Sequence, residues 1–143
     1  MRARAAAGLL AALAGAGCSS GPAGRAALED TVGPQFASLY QRQQSLLERI
    51  PPSRTQVAAG ATCDRGGPAV ADEGAGDDWT CLVSYTDADG TARQAPYELA
   101  WAADGCYRAD GPPGLVGQQR MRTPAGDAVT NPLYAFDGCV PQT

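Results

Sequence analysis

The 143-residue sequence contains no histidine and no lysine, the residue types that most often supply a general base or a covalent amine. Without histidine neither a Ser-His-Asp triad nor a Cys-His pair can form, and without lysine a Ser-Lys dyad or a Schiff base is excluded. The sequence also has no glycine-rich phosphate loop between a strand and a helix. These absences predict a protein that is not an enzyme and uses no cofactor.

Positive charge is scarce as well, because 11 basic residues, all arginine, accompany 15 acidic ones and the net charge is −4. An acidic chain without basic runs cannot neutralise a phosphate backbone, which argues against a nucleic-acid partner. It also argues against polybasic adhesion to anionic lipid. The lack of histidine and of any C-x-x-C spacing disfavours a structural zinc site, so no metal is expected.

No hydrophobic run is long enough to cross a membrane as a helix, which takes roughly twenty residues. The longest, residues 5–16, follows the basic start Met-Arg-Ala-Arg and ends in small residues, as secretory signals do. The segment Leu13–Cys18 resembles the bacterial lipobox, in which a small residue precedes a cysteine that is lipidated after cleavage. Gly15 stands where that pattern favours leucine. Cleavage after Ala16, which would give a freely secreted protein, is therefore the alternative.

We expect residues 1–18 to be a lipoprotein signal peptide that ends at a lipidated Cys18, with a tether over 19–32 and a single domain over 33–143. Two acyl chains on one residue would anchor the protein stably. The expected location is the outer face of the cytoplasmic membrane. Removal of Arg2 and Arg4 with the signal peptide would lower the net charge to −6.

Four cysteines remain once Cys18 is assigned to lipidation, and their even number predicts two disulfides in a small domain outside the cytoplasm. These cysteines are Cys63, Cys81, Cys106 and Cys139. Of the three possible pairings we favour Cys63–Cys81 and Cys106–Cys139, because each joins near neighbours in chain order.

One amphipathic helix is predicted from Gly33-Pro34, where proline suits a first helical turn, to Pro51-Pro52, which would end it. Gln43 interrupts the apolar stripe of this helix. The stripe consists of residues at helical spacing, namely Phe36, Leu39, Tyr40, Leu46, Leu47 and Ile50. We expect the stripe to pack on a sheet.

Alternating side chains predict a strand over Trp79–Thr86, followed by a hairpin turn at Asp87–Gly90 and a returning strand that contains Tyr97, Leu99 and Trp101. A third strand is predicted over Gln118–Thr123 and a last one over about Leu133–Val140. The predicted fold class is α+β, with one N-terminal helix packed on a three- to four-stranded antiparallel sheet that two disulfides staple.

Two sets of residues are candidates for a site. Trp79, Tyr107 and Tyr134 would line a ligand groove, although aromatic residues on strands more often belong to the core. Asp77 and Asp78 form an acidic pair of the kind that glycosidases use, although a solvated acidic loop explains them as well.

Three segments carry a family resemblance: Gly74–Cys81, Asp104–Ala109 and Asn131–Cys139. Together they resemble a set of small, uncharacterised lipoproteins of high-GC Gram-positive (actinobacterial) bacteria, over about residues 33–140. The resemblance implies an envelope lipoprotein with paired disulfides, and it supplies no catalytic residue.

Three functions remain open at this point. We favour a non-enzymatic, lipid-anchored module that acts through contacts with an envelope protein or in envelope assembly. The first alternative is an accessory lipoprotein that binds a small ligand with its aromatic strands and acidic loop. The second is a hydrolase that uses Asp77 or Asp78.

Overall fold

A computed structural model describes residues 23–142, in which three helices and seven strands are present. The helices are α1 (Arg25–Leu46), α2 (Arg54–Val57) and α3 (Pro113–Val116). The strands are β1 (Gly60–Asp64), β2 (Gly76–Thr86), β3 (Ala92–Trp101), β4 (Cys106–Asp110), β5 (Arg120–Arg122), β6 (Ala128–Thr130) and β7 (Ala135–Cys139).

The main sheet is an antiparallel meander of five strands in the order β1-β2-β3-β4-β7. A separate two-stranded ribbon, β5–β6, is inserted between β4 and β7. The predicted α+β class with an antiparallel sheet is confirmed, and so are the hairpin turn and the last strand. Three strands, β1, β4 and β6, were missed, because each is only three to five residues long and borders a turn. The predicted third strand belongs instead to the ribbon.

The inner face of the sheet carries the core. In β2 and β3 alternate side chains are buried, as their sequence pattern predicts: Trp79, Cys81, Val83, Ala95, Tyr97, Leu99 and Trp101. Leu82, an apolar residue out of phase with this alternation, lies on the outer face with 36% of its surface exposed. Helix α1 covers this inner face with side chains that recur every four residues, namely Leu28, Val32, Phe36 and Tyr40.

The predicted helix start at Gly33-Pro34 is wrong, because α1 begins at Arg25. Leu28 and Val32 are fully buried, so residues 25–32 belong to the domain and not to a tether. Pro34 occupies an exposed position inside the helix and not its first turn. Burial of the two earlier apolar side chains outweighs the local preference of proline for a helix start.

The helix also ends before the prolines that were expected to stop it. Its last residue is Leu46, and Glu48 turns the chain with a left-handed φ of 54°. The N–H of Arg49 donates to the carbonyl of Gln44 at 3.0 Å, and the N–H of Glu48 donates to Ser45 at 3.0 Å. These bonds form a Schellman cap. Ile50 is consequently 94% exposed and lies outside the apolar stripe to which it was assigned.

Side chains of α1 bond to both edge strands of the main sheet. At one edge the N–H of Cys63 in β1 donates to the carboxylate of Glu29 at 2.9 Å. At the other edge Gln35 Nε2 donates to the carbonyl of Asp137 in β7 at 3.2 Å. The helix thereby occupies backbone groups through which an edge strand could otherwise pair with another chain.

Candidate functional site

The four cysteines form the two favoured disulfides, Cys63–Cys81 and Cys106–Cys139. Each bond joins residues that lie directly opposite each other, the first across β1 and β2 and the second across β4 and β7. The two bonds lie on opposite faces of the sheet, because Cys63 and Cys81 are fully buried whereas Cys139 is exposed. Both edge strands are therefore covalently attached to their neighbours.

The predicted lipidation site, Cys18, lies outside the described residues. Within residues 23–142 no helix has the length and apolar character needed to cross a membrane. In the same part of the chain no group of three or more Cys, Asp or Glu side chains is arranged to hold a metal ion.

The aromatic residues assigned to a groove do not share one. Trp79 is 1% exposed and donates its indole N–H to the carbonyl of Gly74 at 3.1 Å. Tyr107 is 2% exposed, and its ring covers Gly138 on the neighbouring strand. Tyr134 is half-buried in the segment between β6 and β7. Trp79 and Tyr107 are core residues and offer no face to a ligand.

The acidic pair is divided between two environments. Asp78 Oδ1 accepts from Arg65 Nε at 2.9 Å and from Arg65 Nη2 at 2.8 Å, whereas the side chain of Asp77, which is exposed like that of Asp78, bonds to no described residue. The hydrogen bond from Arg65 lowers the pKa of Asp78 below its ordinary value, which favours the carboxylate over the protonated form that a general acid needs. Arg65 also donates to the carbonyl of Glu73 at 2.8 Å, so Asp78 helps to fix the loop between β1 and β2.

A cleft of the described domain lies between the C-terminal half of α1, the β2–β3 hairpin and α3. We call it the hairpin pocket. Its volume is about 520 Å³, within the range of small-molecule sites. The lining residues that matter below are Tyr40, Gln43, Gln44, Arg49, Arg93 and Leu115.

One hydrogen bond holds the hairpin against the helix at this pocket, and further contacts fix the turn of the hairpin itself. The N–H of Ala88 donates to Tyr40 Oη at 2.8 Å. Asp87 accepts the N–H of Thr91 at 2.9 Å and pairs with Arg93 Nε at 2.8 Å. The bond from Arg93, together with the backbone bond from Thr91, lowers the pKa of Asp87, so the turn keeps its ion pair in mildly acidic solution.

A buried amide network forms the opposite side of the pocket. Gln43 Nε2 donates to Asn131 Oδ1 at 2.9 Å, and Asn131 Nδ2 donates to the carbonyl of Val116 at 2.9 Å. The N–H of Leu133 completes the network with a 3.0 Å bond to Asn131 Oδ1. Asn131 is 1% exposed and links α1 to the segments before and after the β5–β6 ribbon. Gln43, which interrupted the apolar stripe, was the one sequence signal for this network.

Gln44 is the least satisfied residue of the pocket. It is 2% exposed, its Nε2 lies 3.5 Å from Gln43 Oε1, and its own Oε1 accepts no hydrogen bond from the described residues. A buried acceptor without a partner costs about 1–3 kcal/mol. Gln44 lines the pocket, so this unpaired acceptor belongs to the pocket wall.

The remaining groups of the pocket make it polar with an apolar rim. Burial raises the pKa of Tyr40, so its hydroxyl stays protonated and can donate while it accepts from Ala88. Arg49 adds a guanidinium, and Leu115 is 59% exposed at the rim. This combination of donors, an unpaired acceptor and an apolar edge suits non-covalent binding of a polar group.

Comparison with known proteins yields no relative, because no family model, no curated protein and no solved structure matches the chain.

Proposed function

We propose that this protein is a lipid-anchored, extracytoplasmic module that acts by non-covalent contacts with an envelope protein and not by catalysis. The observation that carries the proposal is the pair of cross-strand disulfides, one of which is exposed to solvent. Cytosolic thiols keep such a cysteine pair reduced, so the bonds favour an oxidising compartment. The lipobox-like segment Leu13–Cys18 supplies the anchor, and the lack of histidine and lysine supports a role other than catalysis.

The early start of α1 leaves a short link between the anchor and the domain. Ala23 accepts the N–H of Gly74 at 3.0 Å, and the N–H of Arg25 donates to Asp72 at 3.1 Å. The step from a lipidated Cys18 to Ala23 spans at most about 18 Å. The 22 residues of α1 extend over about 33 Å. The hairpin pocket, at the C-terminal end of α1, is then presented at the end of the domain remote from the anchor.

The anchor is tested by mass spectrometry of the mature N-terminus from membranes. We expect a diacylglyceryl-modified Cys18, and we expect Cys18→Ser to abolish both the modification and retention in the membrane fraction. An unmodified N-terminus at Gly17 would contradict the anchor.

The contact surface is tested by photocrosslinking on intact cells. A photoreactive residue in place of Leu115, at the pocket rim, should capture a discrete envelope protein. The matched control replaces Val70, which is 39% exposed in the loop near the anchored end of the domain. Identical products from both positions, or none from Leu115, would contradict the assignment of this surface.

A second function, binding of a small polar ligand, is favoured by the unpaired Oε1 of Gln44 in the hairpin pocket. Such a ligand would need an N–H or O–H donor for Gln44 and an acceptor for Tyr40. Two probes of similar size separate these requirements, because acetamide has both a donor and an acceptor whereas acetone has only an acceptor.

We expect acetamide, but not acetone, to shift the side-chain amide resonances of Gln44 in NMR spectra. The variant Gln44→Leu should lose the acetamide-induced shifts at the other residues that line the pocket, such as Gln43, and should be at least as stable as the wild type, because it removes the unpaired acceptor. Stability is measured by urea unfolding. Equal shifts with both probes, or a marked loss of stability in Gln44→Leu, would contradict this function.

A further inference from the structure

We propose that Cys106–Cys139 is a thiol-exchange site, which an external thiol opens by attack on Cys139 while Cys63–Cys81 stays closed. The two disulfides share one geometry in the sheet, since each joins directly opposed residues of neighbouring antiparallel strands. They differ in access. Cys63 and Cys81 are 0% exposed beneath α1, whereas Cys139 is exposed and Cys106 is half-buried on the outer face.

The exposed bond lies in an open groove that a small thiol can enter. The groove has a volume of about 530 Å³ and is formed by the outer faces of β4 and β7, with Arg108 and Asp137 beside the two cysteines. Cys139 is the last residue of an edge strand, so its outer side has no neighbouring strand. Cys106 lies in an inner strand, and its N–H is held by Asp104 at 2.9 Å. Access therefore favours attack on the sulfur of Cys139.

The exchange is a two-electron reduction by thiol chemistry. An external thiolate attacks Cys139 Sγ, which forms a mixed disulfide and releases Cys106 Sγ as a thiolate. A second external thiolate attacks the external sulfur of that mixed disulfide and releases Cys139 as a thiolate. The products are one external disulfide and two protein thiolates, which take up protons from water. The external thiol, either a monothiol or a protein dithiol, is the reductant.

Opening this bond leaves the edge strand attached by other contacts. Strand β7 keeps its pairing with β4, and Phe136 and Val140 remain in the core. Gln35 still donates to the carbonyl of Asp137. The reduced protein is therefore expected to stay folded and to present two accessible thiols. The proposal rests on the extracytoplasmic location proposed above in one respect only, namely the compartment in which the protein meets such a thiol.

The test measures how fast dithiothreitol reduces each disulfide in the folded protein. Samples taken during the reaction are quenched with acid, alkylated and digested with trypsin. Arginines at 65, 93, 108 and 122 place each of the four cysteines on its own tryptic peptide. Alkylated Cys106 and Cys139 should appear about tenfold faster, or more, than alkylated Cys63 and Cys81, because the buried bond reacts only after opening of the structure. The difference should vanish when guanidinium chloride unfolds the chain. Equal rates in the folded protein, or faster labelling of Cys63 and Cys81, would overturn the proposal.

The attacked sulfur is identified with glutathione as the probe, under quench conditions that preserve the mixed disulfide. The adduct should lie mainly on the Cys139 peptide, and an adduct mainly on the Cys106 peptide would overturn the assigned direction. The double variant Cys106→Ser, Cys139→Ser should show no fast phase. If that variant does not fold, the ratio of rates in the wild type still decides. These measurements need no membrane, so they fail independently of the proposed anchor.

Discussion

Two buried tyrosines show how much one hydrogen bond changes the role of a residue. Tyr97 and Tyr107 both lie on the inner face of the sheet and are at most 2% exposed. Tyr97 Oη donates to the carbonyl of Leu133 at 2.7 Å. Tyr107 Oη has no partner among the described residues. The same substitution should therefore have different effects at the two positions.

We expect Tyr97→Phe to lower the free energy of unfolding by about 1–2 kcal/mol, because it leaves the Leu133 carbonyl unpaired. Tyr107→Phe should be neutral or slightly stabilising, because it removes a buried hydroxyl that has no partner. Urea unfolding of both variants at neutral pH measures the difference. Equal losses would mean that the Tyr107 hydroxyl has a partner in solution.

Glu48 holds a backbone conformation that glycine adopts with less strain. Its φ of 54° caps the C-terminus of α1. We expect Glu48→Gly to raise the free energy of unfolding by about 0.5–1 kcal/mol, since the left-handed conformation costs a non-glycine residue about 1–2 kcal/mol and glycine loses more chain entropy. The control Glu48→Ala keeps the strain and should bring no such gain. Thermal unfolding of the three proteins checks this order.

At the scale of elements, α1 is the helix that completes the hydrophobic core of the domain. It covers the inner face and bonds to both edge strands through Glu29 and Gln35. Gly33 permits its close approach to β1. A Cβ at this position would lie 3.1 Å from Gly60 Cα and 3.2 Å from the carbonyl oxygen of Ala59. These backbone atoms cannot rotate away as a side chain could.

Gly33→Ala should destabilise the domain by about 1–2 kcal/mol, although alanine is the better helix former by about 1 kcal/mol. The new methyl group would push α1 away from β1. A matched control is Ser45→Ala on the same helix, whose exposed hydroxyl donates only to the carbonyl of Gln41 and which should change stability little. A stabilised Gly33→Ala variant in urea unfolding would show that the helix can shift without cost.

Long alternating strands were predictable, whereas most of the short strands were not. The eleven residues of β2 and the ten of β3 provide enough alternation to define both the strands and their faces. The five residues of β1, Gly-Ala-Thr-Cys-Asp, carry no such pattern and become a strand only by pairing with β2. The start of α1 was missed for a related reason, because proline at 34 gives a strong local signal while Leu28 and Val32 matter only once the sheet lies beneath them.

At the scale of the whole molecule, the buried tyrosines predict a loss of stability in alkali. Burial raises the pKa of Tyr107 to about 12, and it raises the pKa of Tyr97 as well. In the unfolded chain these groups titrate near 10, so above about pH 10 the unfolded state releases protons that the folded state keeps. Their contribution to stability is therefore complete below that pH and is lost as the pH rises towards the folded-state pKa.

We expect the free energy of unfolding to fall between about pH 9 and pH 11, by about 1 kcal/mol for each of these tyrosines. Urea unfolding at the two pH values measures the loss, and Tyr107→Phe should show a loss smaller by about 1 kcal/mol. A pH-independent stability, or an unchanged loss in Tyr107→Phe, would mean that the Tyr107 hydroxyl is solvated in the folded state.

The candidate site was less predictable than the fold, because its residues come from distant parts of the chain. The hairpin pocket joins Gln43 and Gln44 of α1 to the β2–β3 hairpin and to Leu115. In sequence, Gln43 is only an interruption of an apolar stripe. Its bond to Asn131 depends on the meeting of two segments 88 positions apart. Trp79 and Tyr107 were assigned to a groove for the opposite reason. An aromatic residue on a strand shows the same sequence pattern whether it lines a groove or belongs to the core.

The sequence by itself determined which side-chain chemistry is available to this protein and which cysteines can form disulfides in the domain. The lack of histidine and lysine, the four cysteines of the described domain and the alternation of β2 and β3 are properties of residue identity and spacing. The tertiary structure alone decided which cysteine pair is exposed, where α1 begins and which side chains surround the hairpin pocket. These features follow from burial and from long-range pairing, and both depend on contacts between segments that the local pattern of residues does not contain.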